Sequence, residues 1–266
     1  MIIPHAFLFA NAEFTIVDVV HEYVSFVGTF LIVGAASFYF LLLRPSFARN
    51  SDAMRVAGRS AARIGVGGAL LRVLSIAMSV STAMTEKQLS LVAAIATLVI
   101  ALRGLITADV GDLVNPIHVF AASMWIGTLF VMVVAGITTV LSGAFATSDR
   151  GPACATIVNR FSTLALWSAG VLVLTGVTTA YLHLRKFSAL WTSVYGQTLL
   201  VKLCLVAVVF WLGGYNNWRM KPTLGTEDAA RRLNRSATYE IAVAAVVLIV
   251  TAVLVNLPTP GEHVTR

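Results

Sequence analysis

The sequence predicts an all-α fold, a polytopic transmembrane helix bundle, from its composition and from the length of its apolar runs. Only 12% of the 266 residues are charged, 58% are hydrophobic, and the mean hydropathy is +0.85. A soluble domain carries about 25% charged residues, so this chain has too few to cover a globule. Several runs also exceed the roughly 18 apolar residues typical of a membrane-spanning helix. Because lipid offers the backbone no hydrogen-bond partners, helices are the expected form.

About seven apolar runs are close to the roughly 20 residues that cross a bilayer core. Proline and glycine mark the joints between them, as at Arg44-Pro45 and Asn115-Pro116. The first run is expected to be retained, because the residues before it lack the basic start of a cleaved signal. We predict spans at residues 16–43, 61–83, 88–107, 115–141, 159–183, 196–218 and 237–257.

The net charge of +7 is carried largely by short loops between apolar runs. Basic residues in such loops set topology and contact anionic head groups, so we expect the lipid bilayer, and no nucleic acid, as a partner. Cys154 and Cys204 lie in different runs without CxxC spacing. They therefore predict neither a disulfide framework nor a cysteine metal site.

Two strongly basic loops give conflicting information on orientation. The positive-inside rule places both in the cytoplasm, yet five of the seven predicted spans lie between them and would put them on opposite sides. We expect a deviation between residues 61 and 112, where Arg72 and Arg103 interrupt apolar runs, or in one of the loops. The basic residues are Arg44, Arg49, Arg55, Arg59 and Arg63 after the first span, and Arg219, Lys221, Arg231, Arg232 and Arg235 after the sixth.

Three histidines lie at span ends and are candidate metal ligands. His118 begins the fourth span and His183 ends the fifth, so these antiparallel spans place both at one membrane surface. His21 joins them if the first span begins outside. Neutral imidazole is the commonest protein ligand for transition metals, so the three predict a metal site at the outer face. The alternative is that each is an interfacial histidine bonded to head groups and water.

An acidic residue accompanies the first of these histidines. Asp18 precedes His21 by three residues and so shares its helix face. A carboxylate behind an imidazole can orient a metal ligand. Alternatively, Asp18 and the neighbouring Glu22 are solvated acids at a helix N-terminus, where the helix dipole favours negative charge.

The fourth span carries a possible second metal station. His118, Trp125 and Met132 are spaced by seven residues, which at about 100° per residue keeps them within about 40° on one ideal helix face. The Met132 thioether would lie about 21 Å along the helix from His118 and could bind Cu(I). The alternative is that Met132 fills space in the core.

Two further ionisable residues lie in the later spans. Lys202 is expected to extend its ammonium to the nearby interface, and Glu240 to meet arginines of the second basic loop. The sequence contains no HExxH, P-loop or GxSxG motif and no paired carboxylates within one helix core. We therefore expect no enzymatic activity.

Residues 115 to about 258 resemble the copper resistance protein D (CopD/PcoD) family of bacterial inner-membrane proteins. The likeness is carried by NPIHVFAASMWIGTLF, by NRFSTLALWSAGVLVLTGVTTAYL, by VYGQTLLVKLCLV with YNNWRMKP, and by YEIAVAAVVLIVTAVL. The family often has eight spans and a Gly-His-Ala before the Trp-x-Gly helix, where this chain reads GLITA. The resemblance implies two parts: residues 1–111 with transmembrane helices 1–3, and residues 112–266 as a CopD-like four-helix region.

The resemblance implies copper handling at the inner membrane, most simply uptake or transfer from a periplasmic copper chaperone of the CopC type. Copper, as Cu(I) or Cu(II), would be received by the outer-face histidines His118 and His183, with His21 and Asp18, and would pass along the helix towards Met132. Two alternatives remain open from the sequence. One is a b-type membrane cytochrome, which needs facing histidine pairs. The other is a membrane assembly factor that transports nothing.

Overall fold

The computed structural model describes residues 15–80, 110–184, 188–220 and 224–258, and these are almost entirely helical, with no β-strand among them. Six of the described helices are long and apolar enough to cross a membrane. The predicted all-α polytopic bundle is therefore confirmed. The predicted span at 88–107 and the N-terminal residues 1–14 lie outside the described residues. In chain order the helices are α1 (Ile16–Phe47), α2 (Ser51–Val80), α3 (Val114–Ser142), α4 (Thr147–Leu184), the short α5 (Ala189–Thr192), α6 (Val194–Arg219) and α7 (Glu227–Val255).

Side-chain caps define where three of these helices begin. Thr15 and Asp18 form a reciprocal capping box at the start of α1. The hydroxyl of Ser193 accepts from the Gly196 amide at the start of α6, and that of Thr226 accepts from the Ala229 amide at the start of α7. Each cap satisfies a backbone N–H that has no partner within the helix.

Helices α1 and α3 run parallel. Gly34 of α1 lies against Gly127 of α3, and four residues further on Phe38 reaches Gly136, so the residue numbers of both helices rise together along the contact. The His21 end of α1 and the His118 end of α3 therefore lie at the same side of the bundle.

Helix α2 runs antiparallel to α1. Gly28 and Gly68 pack against each other, because a Cβ on Gly68 would lie 2.8 Å from the Gly28 carbonyl oxygen. Further along, Gly58 of α2 lies beside Tyr39 of α1. Small residues allow this close approach of helices in lipid.

These directions resolve the conflict over orientation. Since α1 and α3 are parallel, the α1–α2, α3–α4 and α6–α7 connections all lie at one side of the bundle, and both strongly basic loops share it. The last residue of α2 and the first residue of α3 lie at the opposite side. With both basic loops on one side, the positive-inside rule no longer makes conflicting demands on them.

The main core lies between α1, α3 and α4. Phe38, Leu42 and Ile157 are completely buried there, together with Met132. Helix α1 contributes to the same core as α3 and α4, so this core contains residues from both sides of the predicted domain boundary at residue 111. The boundary itself stays a prediction. Large side chains such as Trp167 and Leu174 are exposed on the outside of the bundle, as expected for surfaces that face lipid.

Helix α3 departs repeatedly from ideal α geometry. It contains π-helical turns at Ser123–Gly127, Met132–Ile137 and Val140–Ala144. A π turn bonds residue i to i+5 and so takes in an extra residue, which rotates the following residues relative to an ideal helix. The single face expected for His118, Trp125 and Met132 assumed an unbroken α-helix, and that assumption is wrong here.

Candidate functional site

His118 is held by a hydrogen bond to α4. Its Nδ1 lies 2.9 Å from the hydroxyl oxygen of Thr175, and its ring packs over Gly176, whose missing side chain makes room for it. The Thr175 hydroxyl is also 2.7 Å from the Val171 carbonyl. A hydroxyl has one proton, and a carbonyl can only accept, so the Thr175 oxygen accepts from His118.

This bonding assigns the neutral tautomer of His118. Nδ1 carries the proton and Nε2 keeps its lone pair, a form deduced from the hydrogen-bond network. The Leu172 backbone also hydrogen-bonds the His118 ring, and no side chain among the described residues pairs with Nε2. An imidazole oriented through one nitrogen, with the other free, is the arrangement that proteins use for metal ligands.

The ammonium of Lys202 on α6 interacts electrostatically with the His118 ring. Lys202 is half-buried, and it forms no hydrogen bond or ion pair with the described residues. The expectation that Lys202 acts only at the interface is therefore incomplete, since its charge acts on the candidate metal ligand.

His21 and Asp18 have partners of their own. His21 Nε2 lies 3.0 Å from the Ser75 hydroxyl on α2, and its Nδ1 lies 3.7 Å from a Glu22 carboxylate oxygen. Asp18 Oδ2 accepts from the Thr15 amide at 2.7 Å and from the Thr15 hydroxyl at 2.8 Å. The Asp18 carboxylate thus caps α1, which was the alternative interpretation from the sequence.

His183 lies in the last turns of α4, and its side chain is outside the part of the chain that the structure describes. Its position in the helix is seven residues beyond Gly176, about 10 Å further towards the outer end at 1.5 Å per residue. His118 and His183 therefore belong to the same end of the α3–α4 pair, as predicted, but at staggered levels. Among the described residues, no three His, Cys, Asp or Glu side chains are placed to hold a metal ion together.

Met132 is almost completely buried in the main apolar core, with 2% of its surface exposed. A methionine in such a place packs against its neighbours, which was the alternative given above.

A buried carboxyl group was assigned the wrong partners from the sequence. Glu240 is 2% exposed, and instead of meeting loop arginines its Oε2 accepts from the Asn216 side chain at 3.2 Å. The indole of Trp125 interacts with the same carboxyl group. Gly213 lies beside both, because a Cβ there would be 3.3 Å from Glu240 Oε1 and 3.6 Å from the indole. In the sequence, a glycine and an asparagine three residues apart on α6 indicate a small polar surface on that helix. Only the packing of the helices shows that this surface faces Glu240.

The six apolar helices, with polar groups enclosed between them, define a multi-pass α-helical membrane protein. Residues 155–254, which include Thr175, Asn216 and Glu240, match the family model described as Copper resistance protein D. The resemblance to this family seen in the sequence is therefore confirmed over these residues.

A curated relative is similar over a longer stretch. The chain is 31% identical over 153 residues to the copper transport protein CutJ of Bacillus subtilis (strain 168), an alignment that covers 58% of this chain. The chain spans about a quarter of that relative's length, since the aligned part is 26% of it. No solved structure matches the chain.

Proposed function

We propose that this protein carries copper across the bacterial inner membrane, in the direction of uptake, and acts as a transporter rather than an enzyme. The observation that carries the proposal is the His118–Thr175 hydrogen bond, which leaves Nε2 free as a ligand at the end of the bundle opposite the basic loops. The similarity to CutJ and the match to the Copper resistance protein D family support copper as the cargo.

The entry side follows from charge. The basic loops lie at the cytoplasmic side by the positive-inside rule, so His118 faces the periplasmic half of the membrane. In this proposal copper arrives from a periplasmic chaperone of the CopC type and reaches the outer turns of α4, where His183 lies, and then binds His118. An imidazole suits either oxidation state of copper.

Copper binding by the detergent-purified full chain tests the proposal. We expect His118→Ala to remove one copper site, and Thr175→Val to weaken the same site because it removes the oxygen that orients the ring while keeping the side-chain shape. Loss of a hydrogen-bond partner that orients a metal ligand typically lowers the metal affinity 10- to 100-fold.

Thr178→Val is the matched control. Thr178 lies on the same helix, and its hydroxyl bonds to the Leu174 carbonyl at 2.9 Å. This variant should bind copper as the unmodified protein does. Equal copper stoichiometry and affinity in His118→Ala and the unmodified protein would refute the proposed site.

A further inference from the structure

Glu240 lies inside the membrane-spanning part of α7. It is 13 residues from the start of the helix at Glu227, which is about 20 Å at 1.5 Å per residue. Its side chain is 2% exposed and that of its partner Asn216 is 9% exposed. Both side chains are therefore removed from water and from lipid head groups.

Two oxygen atoms of this pair have no hydrogen-bond partner among the described residues. The Asn216 amide nitrogen donates to Glu240 Oε2, and the Trp125 indole also hydrogen-bonds the carboxyl group, whereas Glu240 Oε1 and Asn216 Oδ1 are buried without a hydrogen-bond partner of their own. Both are acceptors when the carboxyl group is ionised. Leaving a buried polar atom unpaired costs about 1 to 3 kcal/mol, and more for a charged group.

Among the described residues, no cation interacts with the Glu240 carboxyl group. Helices α1, α3, α4 and α6 pack against α7, and the groups on them that interact with the Glu240 carboxyl are Asn216 and Trp125, neither of which ionises. Two cations lie within α6. Lys202 is 11 residues before Gly213, about 16 Å along the helix, and Arg219 is exposed at the end of the helix. At the start of α7, Glu227 forms salt bridges with Arg150 and Arg231. These two arginines therefore pair with Glu227 and not with Glu240.

We propose that Glu240 and Asn216 form a proton-binding site within the bilayer. With a proton on Oε1, the carboxylic acid becomes a donor and can pair with Asn216 Oδ1, while Oε2 goes on accepting from the Asn216 amide. A carboxylic acid and a carboxamide joined in this way make two complementary hydrogen bonds. One proton thus satisfies both unpartnered oxygens and removes the uncompensated charge.

The neighbouring residues keep this site enclosed. Gly213 leaves room for Oε1, since any side chain there would press on it. The Trp125 indole, tilted against the Phe210 ring with centroids 5.0 Å apart, covers the carboxyl group from α3. The proposal concerns the proton alone and does not depend on copper transport.

Infrared spectroscopy of the purified full chain tests the site directly. We expect a carbonyl band of a neutral carboxylic acid at neutral pH, sensitive to exchange into heavy water and lost in Glu240→Gln. This variant should fold, because its amide can donate to Asn216 Oδ1 and accept from the Asn216 amide. Asp228→Asn, which changes an exposed acid at the start of the same helix, should keep the band.

Thermal unfolding against pH is the second measurement. The folded protein would hold a proton that the unfolded chain releases, so the unfolding temperature should fall by several degrees as the pH is raised above about 4, the ordinary pKa of a glutamate in an unfolded chain. The unfolding temperature of Glu240→Gln should not show this dependence on pH, whereas that of Asp228→Asn should show it. The proposal is wrong if no band is lost in Glu240→Gln, or if stability depends on sodium or potassium concentration instead, which would indicate a bound cation.

Discussion

Gly34 of α1 and Gly127 of α3 meet backbone to backbone, so closely that a Cβ on either residue would overlap the other helix. No side chain separates the two helices at this point. Together with the contact between Phe38 and Gly136 further along, this contact shows that α1 runs parallel to α3, so that His21 and His118 lie at one side of the bundle and both basic loops at the other.

Gly34→Ala should destabilise the protein, because the added methyl group would meet the Gly127 backbone, which cannot turn aside as a side chain can. Overpacking of this kind costs about 1 to 3 kcal/mol. The measurement is the unfolding temperature in detergent. Gly67→Ala is the control, since a Cβ at Gly67 meets nothing within 4 Å. An equal decrease of the unfolding temperature in the two variants would show that the Gly34–Gly127 contact does not account for the loss of stability.

Thiol labelling should reveal the sidedness of the loops. In a background with Cys154→Ala and Cys204→Ala, cysteines would be introduced as Ala48→Cys, Gly225→Cys and Ser188→Cys. A membrane-impermeant maleimide added to intact spheroplasts should label only the Ser188→Cys variant, because the two basic loops face the cytoplasm. Labelling of either Ala48→Cys or Gly225→Cys from outside would contradict the parallel arrangement of α1 and α3 or the orientation assigned to them.

Gly176→Ala should weaken copper binding without unfolding the protein. The new Cβ would lie 3.3 Å from His118 Cε1, so the imidazole must move by a few tenths of an ångström. We expect a loss of about 1 kcal/mol, roughly fivefold in affinity, by competitive copper titration. Gly170→Ala on the same helix meets nothing within 4 Å and should bind copper normally. An unchanged affinity in Gly176→Ala would argue against a metal on His118.

Lys202→Gln should strengthen copper binding. The Lys202 charge interacts with the His118 ring and so repels a cation bound there. Removing it should improve the binding free energy by about 1 kcal/mol or more, because Coulomb repulsion is weakly screened inside the bundle. Lys202→Arg keeps the charge and should leave the affinity near that of the unmodified protein. If Lys202→Gln bound copper less tightly than Lys202→Arg, the lysine would be assisting the site.

The region of the proposed copper site was accessible to sequence reasoning, but its geometry was not. Antiparallel neighbours with short loops must bring the start of α3 and the end of α4 to one surface, which is why His118 and His183 could be placed together. Their stagger along α4, and the choice of Thr175 as the partner of His118, depend on how the two helices slide against each other. Helix periodicity contains no information about that.

The case of Met132 shows a limit of periodicity itself. The predicted alignment with His118 treated α3 as an ideal helix, and π turns change the phase along it. Such turns form where packing favours them, so spacing in the sequence cannot reveal them.

Composition and the length of its apolar runs were enough to determine that this chain is a bundle of membrane-spanning helices, because lipid leaves the backbone little choice of structure. Only the tertiary structure decided which helices run parallel, since that depends on the meeting of Gly34 and Gly127, far apart in the chain. It also decided that Glu240 faces Asn216 rather than an arginine, because the partner of a buried charge is set by packing between helices.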